Sequence, residues 1–228
     1  MQSTRDNRTS QPALQYDQNV AKTIPCYQLF HNETINLVKF RTAKPKSWLD
    51  TGCGTGTLIL RAVQEFGKLK FVAADPSAEM LQITRKKTSA LSGLEISYLL
   101  AGTEQVCCNE TFDVVTAILA HHYLSAEDRV KATENCYRVL NDGGMYITFE
   151  TIRPNTEQGL EVGLKRWRSA QIANGKTPES ADNHIRRYGT ELLPITIESH
   201  LDLLRKVGFR TVEILWASGM QAGFYAIK

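Results

Sequence analysis

The residues best suited to chemistry sit in S-W-L-D-T-G-C-G-T-G-T-L, Ser47 to Leu58. An apolar strand pattern ends at Asp50 and Thr51. Gly52, Gly54 and Gly56 then alternate with Cys53 and Thr55, and a helical pattern starts near Thr57. Glycine lacks a Cβ and tolerates positive φ, so such a loop turns tightly and lets a ligand approach the backbone. The unpaired N–H groups at the helix start can receive a carboxylate or phosphate. Asp75 ends the next predicted strand, where a carboxylate can accept two hydrogen bonds from a ribose diol. A dinucleotide fingerprint requires G-x-G-x-x-G, but position 57 is Thr, and a phosphate loop requires a Lys that is absent here. Asp50 beside the glycines would repel a pyrophosphate and attract a cation. The pattern points to an adenosine ligand without phosphates that carries positive charge.

Further candidates follow the fourth predicted strand. His121 and His122 are adjacent, and imidazole titrates near neutral pH, so one of them suits a general base or a substrate contact. Loop residues that pack the floor of the site are the alternative. Trp167 lies in a polar region with Arg153, Arg166, Arg168, Arg186 and Arg187. Arginine clusters fit carboxylate or phosphate groups on a substrate, and they equally fit a solvated basic face.

Positioning these groups requires strands alternating with helices. The spacing predicts helical segments over 16–40, interrupted at Pro25. Strands are expected at Lys70–Asp75, Leu94–Leu100, Phe112–Leu119 and Met145–Thr151. Helices are expected at Leu58–Phe66, Ser77–Thr88 and from Ser125 to about Leu140, stopping at Asn141-Asp-Gly-Gly144. Pro154 to Thr190 breaks the rhythm and reads as an insertion, with a helix at Glu157–Ala173 and a loop from Asn174 to Pro178. Thr196 starts a helix that ends at Gly208. Two closing strands, Arg210–Trp216 and Gly223–Lys228, suit an antiparallel hairpin with a loop longer than a tight turn. The expected fold is α/β: a Rossmann-like, doubly wound, mostly parallel seven-stranded sheet with an antiparallel C-terminal hairpin and helices on both faces. Residues 1–15 read as a flexible tail and 16–228 as one domain.

Composition bounds the partners. The chain has 228 residues and a formal net charge of +3, too weak to argue for nucleic acid. Its five cysteines lack C-x-x-C spacing, which suggests neither a zinc site nor a disulfide framework, and reduced thiols fit a cytoplasmic location. No signal peptide pattern or membrane-length apolar run is present.

The motif L-D-T-G-C-G-T-G resembles the first motif of class I S-adenosylmethionine-dependent methyltransferases. The similarity continues through V-A-A-D-P-S-A-E-M, ending at Met80, then F-D-V-V-T-A-I-L-A-H-H-Y-L from Phe112, and R-V-L-N-D-G-G-M-Y-I from Arg138. The resemblance implies S-adenosylmethionine as cofactor, with Asp50, Gly52, Cys53, Gly54 and Gly56 lining its methionine half. It implies Asp75 on the ribose, Pro76 and Met80 near the adenine, and Gly102, Thr103 and Glu104 at the adenine edge. Many relatives have an Asp at about position 102 or 103, so a backbone N–H, Thr103 or Glu104 must substitute here. Leu119 is placed beside the sulfonium. Tyr16 and Tyr27 resemble aromatic lid residues of small-molecule members, within lid helices at 16–45. The insertion at 154–190 is the expected substrate lid, with His122, Trp167 and Arg187 as substrate contacts. The implied function is methyl transfer to an O, N or C atom of a small molecule, by a monomer or homodimer, without metal, nucleic acid or membrane. The N-terminal Y-D…I-P-x-Y and the run E-L-L-P-I-T-I-E-S-H-L-D-L-L-R-K-V-G-F are also similar to carboxy-S-adenosylmethionine synthases. Those need an Arg for the extra carboxylate, for which Arg153, Arg186 and Arg187 are candidates. A non-catalytic module that binds the cofactor is a further alternative.

Overall fold

Strands and helices alternate along the chain because apolar runs of strand length are separated by amphipathic stretches with good caps. The computed structural model describes residues 6–42, 44–91 and 93–228. Seven strands form one sheet: β1 (Ser47–Thr51), β2 (Lys70–Asp75), β3 (Glu95–Leu100), β4 (Phe112–Ile118), β5 (Leu140–Thr151), β6 (Thr211–Ser218) and β7 (Gln221–Ile227). Their order is β3-β2-β1-β4-β5-β7-β6, parallel through β5 and antiparallel at β7 and β6. The helices are α1 (Tyr16–Thr23), α2 (Tyr27–Arg41), α3 (Thr57–Phe66), α4 (Ala78–Thr88), α5 (Ala126–Arg138), α6 (Glu157–Ala173), α7 (Pro178–Ile185) and α8 (Ile197–Val207).

The side-chain alternation of the strands divides the core between two faces. Trp48, Phe71, Val114, Ile147 and Phe149 pack with residues of α2 and α3. Leu49, Val72, Val115 and Tyr146 pack with Cys136 of α5 and Leu204 of α8. The central strands are buried on both faces, which is why they read as continuous apolar runs. The strand order reverses between β1 and β4, and ligands of such sheets bind beyond the carboxyl ends at that point.

Caps set the helix starts. The side chains of Ser77, Ser125, Thr156, Thr177 and Thr196 accept backbone N–H bonds from α4, α5, α6, α7 and α8 respectively. The helix α7 replaces the end of an expected loop, because Thr177 caps it and Pro178 occupies its first turn. Leu140 to Gly144 belongs to β5 instead of a turn, since Leu140 pairs with Phe112 before the register shifts. The C-terminal hairpin is tighter than expected: β6 and β7 are joined by Gly219 and Met220 alone, with Gly219 at φ 59.

The segment Asp6–Gln15 departs from the expected free tail. Asp6 accepts hydrogen bonds from Ser77 Oγ at 2.6 Å and Glu79 N at 3.0 Å, and Arg8 Nη1 donates to the Tyr123 carbonyl at 2.9 Å. Its polar composition, read as disorder, supplies caps and bridges for the domain instead. Residues 1–5 of that expected tail lie outside the described residues.

Candidate active site

Strand β1 delivers Asp50 to the carboxyl edge of the sheet. Asp50 Oδ1 accepts from Thr116 Oγ1 at 2.6 Å, and Thr116 Oγ1 accepts from Trp48 Nε1 at 2.9 Å. Burial pushes the Asp50 acid up to about 7; the Thr116 hydrogen bond opposes this and the charge of Asp75 adds to it. A carboxyl group held there gains stability from a cation placed beside it.

The loop then turns on Gly52, Gly54 and Gly56, at φ 69, 54 and 76. A Cβ on Gly52 would lie 2.6 Å from Ala120 Cβ, so this glycine lets the loop after β4 pack against it. A Cβ on Gly56 would lie 2.8 Å from Thr84 Cγ2, so Gly56 serves packing of the loop on α4 and does not line the cavity. Gly54 N and Ser77 N donate to the two oxygens of Asp75, each at 2.9 Å. Burial pushes Asp75 up to about 6 against these two bonds. Each oxygen keeps lone-pair capacity for a ligand.

Three cavities meet over this edge. The first, with about 680 Å³ of empty volume, is lined by Asp75, Pro76, Gly102, Thr103, Glu104 and Leu119, and by Asn7 and Arg8 of the N-terminal segment. The second is lined by Asp50, Gly52, Cys53, Gly54, Tyr16 and Tyr27, and shares Gly52 with the first. The third is lined by Leu119, His122, Tyr123, Trp167 and His184, sharing Leu119 with the first and Tyr16 with the second. Leu119 turns the corner with φ 57, an uncommon conformation for a residue with a side chain, found here beside the site. Met80 does not line these cavities; it is buried in α4, facing the core.

The two histidines part company. His121 is enclosed against Tyr146, with its Nδ1 3.3 Å from the Tyr146 hydroxyl and its Nε2 buried without a partner. His122 lines the third cavity. The arginines separate similarly. Arg153 pairs with Glu157, Arg168 with Asp182 and Arg186 with Asn183, while Arg166 is exposed. Arg187 alone of the five lines a further cavity, of about 1060 Å³ of empty volume, together with Lys176 and His184. Burial, followed by the charge of Arg187, holds Lys176 down at about 8.

Sequence reasoning passed over several residues at this site. Asp17 of α1 accepts from Thr55 Oγ1 and pairs with Lys87, tying α1 to the glycine loop and α4. His31 lines the cavity of Asp50, and burial holds its imidazole down at about 4. His184 stacks edge-on against Trp167 at 4.8 Å. Glu150, at the carboxyl end of β5, is fully buried. Its signal was available: a lone acid closing an apolar strand at the sheet edge where ligands bind.

Among the described residues, no group of three or more His, Cys, Asp or Glu could hold a metal, and no helix is long and apolar enough to cross a membrane. A family model described as a methyltransferase domain matches residues 49–144. The chain is 24% identical to carboxy-S-adenosyl-L-methionine synthase of Staphylococcus epidermidis, over 97% of this chain and 96% of that one. It is 23% identical to the enzyme of that name from Trichodesmium erythraeum, over 93% and 85%. Among solved structures, the plantazolicin methyltransferase BpumL, in complex with S-adenosylhomocysteine, shares the fold with a TM-score of 0.70 at 14% identity, over 93% of this chain and 88% of that one. The chain spans 60% of the length of PigF, another protein of this fold (TM-score 0.67, 16% identity, 97% of this chain covered). The domain match begins in β1, runs through the glycine loop and Asp75, and ends in β5, so it takes in the two acids and the loop that shape the cavities. The chain is thus similar to methyltransferase domains over residues 49–144, and to the named synthases over nearly its whole length.

Proposed function

We propose that the protein binds S-adenosylmethionine across the first two cavities and transfers its methyl group to an O, N or C atom of a small anionic molecule in the third. The residues present fit the cofactor. Asp50, buried and pushed up to about 7, suits the methionine ammonium. Asp75 suits the ribose hydroxyls. Glu104 lines the adenosine-side cavity with Oε2 buried and unpartnered, which suits the exocyclic amine in place of the missing Asp. When bound, the cofactor supplies an electrophilic methyl on a sulfonium. The chain itself provides alignment and exclusion of water, which can contribute much of the rate.

The observation that carries the acceptor class is the junction at Leu119. The third cavity is lined there by Leu119 and farther on by His184, and His184 also lines a separate cavity with Arg187, Lys176 and Glu191. A small acid fits beside Lys176 and Arg187, where it would compete with Glu191 for the Arg187 guanidinium. The test is incubation with S-adenosylmethionine and a panel of small carboxylic acids, read by mass spectrometry for S-adenosylhomocysteine and a product heavier by one methylene. Release of S-adenosylhomocysteine with none of the acids would overturn the acceptor class.

A second reading is synthesis of carboxy-S-adenosylmethionine. It is supported by the shared name of relatives that match nearly the whole chain. It is also supported by Arg187, the candidate of the three that lines a cavity; Arg187 pairs with Glu191 there, as Arg153 pairs with Glu157 and Arg186 with Asn183. The same mass spectra separate the two: a carboxylated cofactor, co-purified or formed, favours this second reading over methyl transfer.

A further inference from the structure

The turn Ile24-Pro25-Cys26 starts α2, with Cys26 at φ 62, and sets Tyr27 and His31 one helical turn apart on the same face. Both line the cavity of Asp50, which has about 320 Å³ of empty volume. The Tyr27 ring meets the His31 ring edge-on at 4.9 Å. His31 is only 3% exposed, and its Nδ1 is enclosed without a hydrogen-bond partner. Burial, followed by the charge of Arg61, keeps the imidazole neutral against the opposing charge of Asp17. A buried polar nitrogen left unpaired is costly, so a ligand that brings the missing partner gains by entering.

A zwitterionic ligand in this cavity needs a partner for each of its charges. Asp50 suits the cationic end. The start of α3 is the expected receiver of the anionic end, through its free N–H groups, but an acid of the chain already stands beside it. Asp17 Oδ1 accepts from Thr55 Oγ1 at 2.5 Å and from Thr57 Oγ1 at 3.4 Å, the two hydroxyls that flank that helix start. The neighbouring cations are engaged elsewhere. Lys87 pairs with Asp17, and Arg61 donates to Asn32 Oδ1 and the Gln28 carbonyl, tying α3 to α2. Neither of the two lines the cavity. Among the described residues that do, His31 is the one side chain able to carry positive charge.

We infer that His31 receives the α-carboxylate of the cofactor's methionine end while Asp50 takes its ammonium, so that the site demands an intact amino-acid end. The carboxylate supplies the acceptor that the buried ring lacks. As an anion it also draws the imidazole back up toward its usual range, with Asp17 of α1 acting in the same direction and Arg61 of α3 against it. The inference rests on the proposed cofactor and concerns how that cofactor is held, so its measurements need no turnover.

The test is calorimetric titration of the full chain with S-adenosylhomocysteine and with its decarboxylated analogue, in which hydrogen replaces the carboxylate. The wild-type protein should bind S-adenosylhomocysteine about 10–100-fold more tightly than the analogue, the scale of a charged hydrogen bond. His31→Phe keeps a ring and loses both nitrogens. It should lose that margin, with weaker binding of S-adenosylhomocysteine and unchanged binding of the analogue. His31→Gln keeps an N–H donor and should recover part of the loss. Equal weakening toward both ligands would make His31 a packing residue, and no weakening would place the carboxylate elsewhere; either overturns the inference. If neither variant folds, wild-type protein with ¹⁵N-labelled histidine decides. The His31 ring signals, assigned through the backbone, should move on saturation with S-adenosylhomocysteine and stay near their free positions with the analogue; the same response to both overturns the inference. A wild-type protein that binds neither ligand removes the cofactor reading and this inference with it, whereas wild-type binding with equal losses in His31→Phe removes this inference alone.

Discussion

Asp50→Asn separates what the site costs the fold from what it gives the ligand. The carboxyl group is 2% exposed, and its acid is lifted from 3.8 to about 7, chiefly by burial. That displacement corresponds to roughly 4 kcal/mol against the ionised form. Because the folded-state value lies above the unfolded one, folding favours the protonated acid. The resulting stability is fully present below about pH 4 and is lost as pH rises through about 7. Asparagine keeps the oxygen that accepts from Thr116 and stays neutral throughout. The ligand-free variant should therefore melt above the wild-type protein at pH 8, by up to about 4 kcal/mol, with about 2–4 °C for each kcal/mol at this chain length. The difference should close as pH approaches 4. Cofactor affinity should move the other way: losing a charge-assisted contact of about 1.5–3 kcal/mol weakens binding roughly 10–150-fold. Wild-type affinity should also rise with pH through about 7, more steeply than the variant's, in which Asp75 still titrates near 6. Thermal melts at pH 5 and 8 with calorimetric titration of S-adenosylhomocysteine make the comparison. A variant that is less stable at pH 8 and binds unchanged would refute the assignment of Asp50 as a strained, cation-seeking group.

Asp75→Ala should weaken S-adenosylmethionine binding by about 1.5–3 kcal/mol; unchanged affinity in a titration would remove the ribose assignment. Gly52→Ala forces a Cβ to 2.6 Å from Ala120 Cβ at a positive φ, so cofactor affinity should fall sharply and the melt should shift down by several degrees. Burial holds His31, His121 and His200 down at about 4 and His184 at about 3. Their folded values lie below the unfolded 6.5, so their contribution is complete above pH 6.5 and lost as pH falls toward 4. The melting temperature should drop across that window, since four histidines outweigh the opposing Asp50 and Asp75; a rise in an acid titration would contradict this. Arg187→Ala should raise KM for an acidic acceptor about 10–100-fold, the scale of a charged hydrogen bond, and leave S-adenosylhomocysteine affinity unchanged in a parallel titration.

Local signals were strong wherever one element carried its own instructions. The glycine loop, Asp50, Asp75 and the alternating strand and helix patterns are written in short windows, so the sheet, its hairpin and the loop that lines the cavities were legible. Expectations were poorer where a polar segment finds its partners far away in sequence. Asp6 and Arg8 read as tail residues because their partners, Ser77 and Tyr123, are 71 and 115 positions distant. The helix α7 went unread, only its first residue Pro178 falling in the expected loop, because its cap is the main evidence for it.

Sequence by itself determined the order of elements and pointed to a kind of ligand, because hydrophobic period, caps and glycine spacing act over a few residues. Tertiary structure alone decided which of two adjacent histidines lines the cavity beside Leu119 and which of five arginines lines the cavity next to it. Those choices depend on β5 bringing Glu150 beneath the β4 loop, 28 residues from His122, and on α7 folding Arg187 back over the sheet edge. No local pattern encodes such contacts, since they arise only when distant strands and helices pack.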